Sequence, residues 1–319
     1  MSGANAALRM PAQRALLDGG RWHFQHGPID LVIGAEGDAP AVDAAHQAAW
    51  ARFQNVLPEL VVELRALRQP VGPRDPPGGG PGPCALQGEI ARRMWSACQP
   101  FHAGFITPMA AVAGSVAQEI VALYGRPGVR RAWVNNGGDI ALHLAPGASV
   151  KVGVFSDLAR FAPAGGPLAI DGDFDVRAEL PVRGIATSGW RGRSFSLGIA
   201  DSVTVLARTA AMADAAATVI ANAVDVADPR IVRRRARELK DDTDLGDLAV
   251  TVDVPALEPA LVLEALHAGR HRALGLQRDG LIHSALLVCQ HRGVGVEALV
   301  PPAARVEAVT AARLGSIFA

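Results

Sequence analysis

Apolar and polar residues alternate from 21 to 34 (RWHFQHGPIDLVIG), which predicts two short strands around a Gly-Pro turn. From 42 to 68 the spacing turns helical, with Trp50, Phe53, Val56, Leu60 and Leu64 along one stripe. Pro58 lacks a backbone donor and is expected to interrupt that helix. A second helix is predicted over 86–97. A third, built of small residues, is predicted over 105–124 (FITPMAAVAGSVAQEIVALY), with Pro108 tolerated near its start. Residues 133–144 (WVNNGGDIALHL) read as strand, Gly-rich turn and strand.

Further strand ends are expected over 150–155 and 184–188, with a polar loop around 171–175. The β-branched run 202–207 (SVTVLA) is a strand leading into a small-residue helix from about Thr209 to Val224. Residues 229–240 are predicted as a basic helix, 248–254 and 280–289 as strands, and 259–266 as a helix. Residues 69–83 (QPVGPRDPPGGGPGP) can be neither helix nor strand and read as a surface loop. Helices and strands mix without strict βαβ alternation, so the class is α+β, read as a single domain over 1–319.

One internal match stands out: 109–121 aligns without gaps on 212–224, placing Ala111 on Asp214 and Ser115 on Thr218. A true repeat implies two related halves facing each other across a shared site.

Composition narrows the function classes. Half of the 319 residues are apolar and the net charge is zero, which disfavours nucleic acid and anionic membranes as partners. Lys151 and Lys240 are the only lysines, so any lysine nucleophile would be one of two residues. Cys84, Cys98 and Cys289 form no metal or disulfide pattern. The first twenty residues hold no apolar core of a signal peptide, and no apolar run is long enough to span a bilayer; a cytoplasmic protein is expected.

Candidate chemistry lies at three places. Asp214 and Thr218 share one helix face at a spacing of four, and two hard oxygens suit magnesium better than zinc or copper. A dipole-favouring aspartate and a back-bonded threonine are the structural alternative. The segment Asn135-Asn136-Gly137-Gly138-Asp139 can cradle a phosphate or simply turn a hairpin. Ala186-Thr187-Ser188-Gly189 ends a strand with two hydroxyls that can meet phosphate or ribose oxygens, or cap a turn. The arginines at 233–237 are followed by Glu238, Asp241, Asp242 and Asp244, which reads as a solvated helix face. No histidines show metal-ligand spacing; His26 and His102 are possible site neighbours.

Together these fragments resemble the ApbE-type FAD:protein FMN transferase superfamily. Its Gly-Gly-Asp turn, Ala-Thr-Ser-Gly segment, Ser-Val-Thr-Val strand and Asp-Ala-x-Ala-Thr helix occur in that order here, within residues 105–224. The resemblance implies the family's mixed fold, with FAD between two α/β halves. It also implies Mg²⁺ at the Ala111 carbonyl, the Asp214 carboxylate and the Thr218 hydroxyl. Gly137, Gly138, Asp139, Thr187, Ser188 and Gly189 would contact the flavin nucleotide, and Asp214 would be central to catalysis. The implied reaction cleaves FAD, passing FMN to a protein threonine or to water and releasing AMP.

Two departures bear on that reaction. The family's Lys-Gly is replaced by Gly114-Ser115, and the His-containing segment expected between Gly189 and Ser202 is missing. Arg191 or Arg193 can supply charge there but cannot act as a base near neutral pH. The resemblance is therefore to a short branch of the superfamily, either a transferase or pyrophosphatase, or a non-catalytic flavin-binding protein of the same fold.

Overall fold

The computed structural model describes residues 11–72, 84–154 and 172–298. Strands β1 (Gln13–Leu17), β2 (Arg21–His26) and β3 (Ile29–Gly37) form an antiparallel meander, with Gly27 in the β2–β3 turn at a φ of 56°. Helices α1 (Ala39–Val62), α2 (Leu64–Leu67), α3 (Glu89–Cys98) and α4 (Val112–Val121) follow. The next hairpin is β4 (Val129–Asn136) with β5 (Asp139–Leu144). A separate ribbon pairs β6 (Ser149–Val154) with β7 (Gly172–Arg177). Strands β8 (Gly184–Ser188) and β9 (Ser202–Ala207) precede α5 (Ala210–Ala223). A second ribbon joins β10 (Val232–Arg235) to β11 (Ala249–Asp253) around α6 (Ala236–Leu239). Helix α7 (Pro259–Arg278) leads into the hairpin β12 (Ser284–Cys289) and β13 (Arg292–Val296).

Among the described residues, one antiparallel sheet runs β1-β2-β3-β4-β5-β8-β9-β12-β13. Its order exposes a repeat. Hairpins β2–β3 and β4–β5 are sheet neighbours separated in sequence by α1 to α4. The pairs β8–β9 and β12–β13 are neighbours separated by α5 to α7. The α+β class with two related halves is what the structure has. The aligned helices, however, are not topological equivalents. Helix α4 leads into the second hairpin of its half, whereas α5 leaves the first hairpin of its own. Their shared small residues reflect packing of the two helices on each other.

The helices cover one face of the sheet. There Phe24, Leu31, Val134 and Val203 pack with the alanine-rich sides of α4 and α5 in one continuous core. On the opposite face Ile140, Leu142, Ile185 and Leu206 pack under Val150, Val152 and Val176 of the β6–β7 ribbon. Among the described residues no helix is long and apolar enough to cross a membrane.

Several elements differ from expectation. Helix α1 runs through Pro58 because that residue is on the exposed side, where water satisfies the freed carbonyl while Phe53, Val56, Leu57 and Leu60 stay buried. It ends at Glu63, whose carboxylate accepts 2.7 Å bonds from the Gln87 and Gly88 amides. The 105–124 helix is a 3-10 turn (Pro108–Ala111), then α4, then a second 3-10 turn (Ala122–Tyr124). The polar loop expected around 171–175 is largely strand β7; Asp171 lies outside the described residues, as does most of the 69–83 loop. The basic helix expected over 229–240 is instead strand β10 and the single turn α6. Its arginines find acids on neighbouring segments, Arg233 with Asp225 and Arg237 with Asp247, which an extended ribbon permits. Helix α7 is 20 residues long, well beyond the predicted 259–266.

Candidate functional site

The site starts from the contact between α4 and α5. A methyl group at Gly114 would lie 2.3 Å from the Ala210 carbonyl oxygen and 2.9 Å from the Asp214 Cβ, so only glycine permits this approach. The closeness lets the Gly114 N–H donate to Asp214 Oδ2 at 2.9 Å, and the Ala113 N–H bonds the same carboxylate. Asp214 thereby occupies the positive end of α4, where a carboxylate is favoured. In return Gln118 of α4 accepts the Ala211 N–H at 3.3 Å, while Thr209 caps α5 by accepting the Met212 N–H. Each helix caps the other.

Asp139 opens β5 on the same face of the sheet and is 8% exposed. Its Oδ1 accepts the Thr187 N–H at 3.1 Å. Burial raises the Asp139 pKa well above the usual carboxylate range, and the Asp214 charge raises it further despite the Thr187 bond. Burial pushes Asp214 up to about 7 against the opposing effect of its two amide bonds. Among the described residues no positive side chain contributes to either shift. Asn136 braces the arrangement by donating to the Ala113 carbonyl at 3.1 Å.

A third carboxylate stands nearby. Thr107 donates its hydroxyl to Asp244 Oδ2, and its carbonyl accepts the Cys98 thiol at 3.3 Å. Burial holds the Cys98 thiol well above its ordinary pKa, and the charges of Asp214 and then Asp244 add to that effect. Asp244 therefore shares this neighbourhood. The sequence offered it only as one compensating acid of a solvated helix face; no spacing rule connects it to Thr107, 137 positions away.

The other expected site residues divide into groups. Ala111 is buried and forms the N-cap of α4, two residues before the amides that bind Asp214. Thr218 lies one turn beyond Asp214 on α5 and is partly buried. Gly137 and Gly138 form the β4–β5 turn with φ of 65° and 112°, and the Gly138 N–H is occupied by Asn135 Oδ1 at 2.8 Å. Gly189 allows the chain to pass Asp201, whose carbonyl oxygen would lie 2.3 Å from a Cβ there. Ser188 is partly buried at the end of β8.

Thr187 differs from its expected role in one respect. Its N–H serves Asp139, but its hydroxyl bonds Thr204 Oγ1 at 3.0 Å on the face away from α4 and α5. Alternation along β8 imposes this, because Gly184 lies against the start of α5 and its neighbour Ile185 faces the other way.

His102 bonds the nearby Gln99 carbonyl at 3.0 Å, and buried His26 packs on Phe53 with its Nδ1 unpaired. Neither bonds a site carboxylate. In the stretch replacing the missing histidine segment, Arg191 lies over Trp190 and 3.7 Å from Asp201. Arg193 reaches the Gly137 turn, 3.4 Å from where a Cβ would stand.

Among the described residues no three His, Cys, Asp or Glu side chains gather as a metal cage. What is present is a pair of charge-repelling carboxylates, with the Thr218 hydroxyl one turn from Asp214 and Ala111 at the N-cap of the helix that binds it. That donor set fits magnesium, which takes few protein ligands and completes its shell with water and phosphate.

A family model described as AbpE bacteria matches residues 13–299. A UPF0280 protein of Methanopyrus kandleri is 39% identical over 166 residues, covering 51% of this chain and 62% of its own. A UPF0280 protein of Methanospirillum hungatei is 38% identical over 130 residues, covering 40% of this chain and 50% of its own. The chain thus spans about half to three-fifths of the length of these curated relatives. Among solved structures, the ApbE protein of Thermotoga maritima aligns over 90% of this chain and 96% of its own, at 12% identity and a TM-score of 0.41. The flavinyl transferase ApbE of Pseudomonas stutzeri, in its apo form, aligns over 91% and 96% at 13% identity and a TM-score of 0.37.

Proposed function

The chain belongs to the AbpE bacteria family, and on that premise we propose that it is a magnesium-dependent enzyme acting on FAD. In the reaction the pyrophosphate P–O bond breaks and the hydroxyl oxygen of a protein threonine, or of water, bonds to the FMN phosphorus. AMP leaves with the bridging oxygen, and the proton of the attacking hydroxyl is released to solvent.

One observation carries this reading. Asp139 and Asp214 are brought together in a poorly solvated place, and among the described residues no cationic side chain acts on either. Such an arrangement is costly unless a cation completes it. Asp214, the Ala111 carbonyl and the Thr218 hydroxyl would hold magnesium, with Asp139 beside them. Bound there, the ion would neutralise charge on the pyrophosphate as the bond to AMP breaks.

The chain's own groups orient these parts. The Ala113 and Gly114 amides orient the Asp214 carboxylate, and the Thr187 amide does the same for Asp139. Arg193, whose guanidinium lies at the Gly137 turn, would supply positive charge toward a phosphate bound there.

The test is release of AMP from FAD by the purified full chain, with and without magnesium. Release that needs the metal and is lost in Asp214→Ala supports the reading; no release under any divalent metal overturns it. A second reading, a flavin-binding protein without turnover, is favoured by residues 190–201, which contain no histidine. Tight FAD binding with no AMP release would establish it.

A further inference from the structure

We infer that Asp244 is a positioning residue of this site: by accepting the Thr107 hydroxyl it fixes the turn that delivers the Ala113 and Gly114 amides to Asp214. Thr107 is 2% exposed and is held from two sides. Its hydroxyl donates to Asp244, and its carbonyl accepts both the Cys98 thiol at 3.3 Å and the Ala110 N–H at 3.1 Å. Just before it, the Ile106 carbonyl accepts the Val71 N–H at 2.8 Å. From this anchored point the chain runs through the Pro108–Ala111 turn into α4, whose second and third residues bind Asp214.

Only six residues separate Thr107 from Gly114, so a shift at one end reaches the other with little slack. Proline at 108 removes one of the soft dihedrals that could absorb it. Asp244 comes from a different part of the chain, the segment between α6 and β11, and among the described residues it makes the one hydrogen bond that ties the 105–111 segment to that part. Without it the Thr107 hydroxyl would be buried and unpaired, a state the segment can escape only by moving.

The activity readout rests on the proposed function, whereas a second readout does not. Full-length Asp244→Ala, Thr107→Val, their double variant, Asp244→Asn and Thr107→Ser are compared. The first measurement is kcat and KM for magnesium-dependent AMP release from FAD. The second is the rate at which iodoacetamide labels Cys98 in ligand-free protein, assigned by peptide mass spectrometry against Cys84 and Cys289.

Asp244→Ala and Thr107→Val are each expected to lower kcat about tenfold with KM little changed, and to speed Cys98 labelling about tenfold, the size expected for losing a bond to a charged acceptor. The double variant should be no worse than the worse single, since both remove one interaction. In kcat, Asp244→Asn and Thr107→Ser, which keep an acceptor and a hydroxyl, should stay within about threefold of the parent. Additive losses, Asp244→Asn falling as far as Asp244→Ala, or unchanged Cys98 labelling in Asp244→Ala would overturn the inference. If the parent protein releases no AMP, the proposed function fails and the labelling series alone decides this one.

Discussion

Two acidic positions around α4 obey the same physics with opposite results. Glu119, near the C-terminal end of the helix, accepts Arg52 Nε at 2.7 Å and Arg93 Nη2 at 2.8 Å. Burial alone would raise its pKa, but the two arginines outweigh it and hold Glu119 below the ordinary range. Asp214, at the N-terminal end, is also poorly solvated, yet only backbone amides oppose the burial and its pKa rises to about 7. Asp139 adds a like charge instead of a cation. A carboxylate answered by arginine is a structural brace. One left facing a second carboxylate keeps its charge unanswered, and under the proposed function a bound cation would supply the balance.

The largest expected effect separates the two positions by activity. Asp214→Ala should lower magnesium-dependent AMP release from FAD about a thousandfold, while Glu119→Gln changes it less than about threefold. Measuring both under saturating magnesium checks the contrast, and equal losses would erase it.

Next comes Gly114→Ala, whose methyl would press on the Ala210 carbonyl. It should destabilise the fold by about 2 kcal/mol and misplace the amides that hold Asp214. Denaturant midpoints and AMP release should fall together.

Glu119→Gln should cost about 2 kcal/mol in the same denaturant assay, because two arginines lose their shared charge. Asp214→Asn and Asp139→Asn should go the other way, each stabilising the metal-free protein at about pH 8 by about 1 kcal/mol through relief of repulsion. A decrease in both aspartate variants would show that no repulsion was stored there.

The smallest effect is the pH profile. Asp214 has a folded pKa of about 7 against 3.8 for an unperturbed group, so its contribution is fully present below 3.8 and lost as pH rises through about 7. Glu119 has a depressed pKa, so its contribution is present above the unfolded value of 4.5 and lost as pH falls through the folded one. Thermal midpoints of metal-free protein should therefore decline from about pH 5 to 8 in the parent and less so in Asp214→Asn. Magnesium should flatten the parent's decline.

Much of the fold was legible along the chain. Alternation marked the β2–β3 and β4–β5 hairpins, SVTVLA marked β9, and Thr209 marked the start of α5, because each of these depends on neighbours within a few residues. Strands β1 and β10 were not legible. Both are mostly exposed and lack a buried stripe, and they are strands because a partner offers its hydrogen bonds. The length of α7 was obscured by Gly269 and Gly275, yet Gly269 is required where Val224 packs against it.

For the site, residue identity and tertiary structure divide the credit differently. The sequence by itself determined that Asp139 and Asp214 carry hard oxygens on well-defined elements, and that glycine stands at 114, 137 and 138. Spacing of four along a helix was enough to place Thr218 with Asp214. Only the tertiary structure decided that the two aspartates would meet with no cationic side chain beside them among the described residues, that the Thr187 hydroxyl would face the other side of the sheet, and that Asp244 would reach Thr107. The reason is range. Backbone periodicity is set by adjacent residues, whereas burial and charge balance depend on what distant segments bring to the same place.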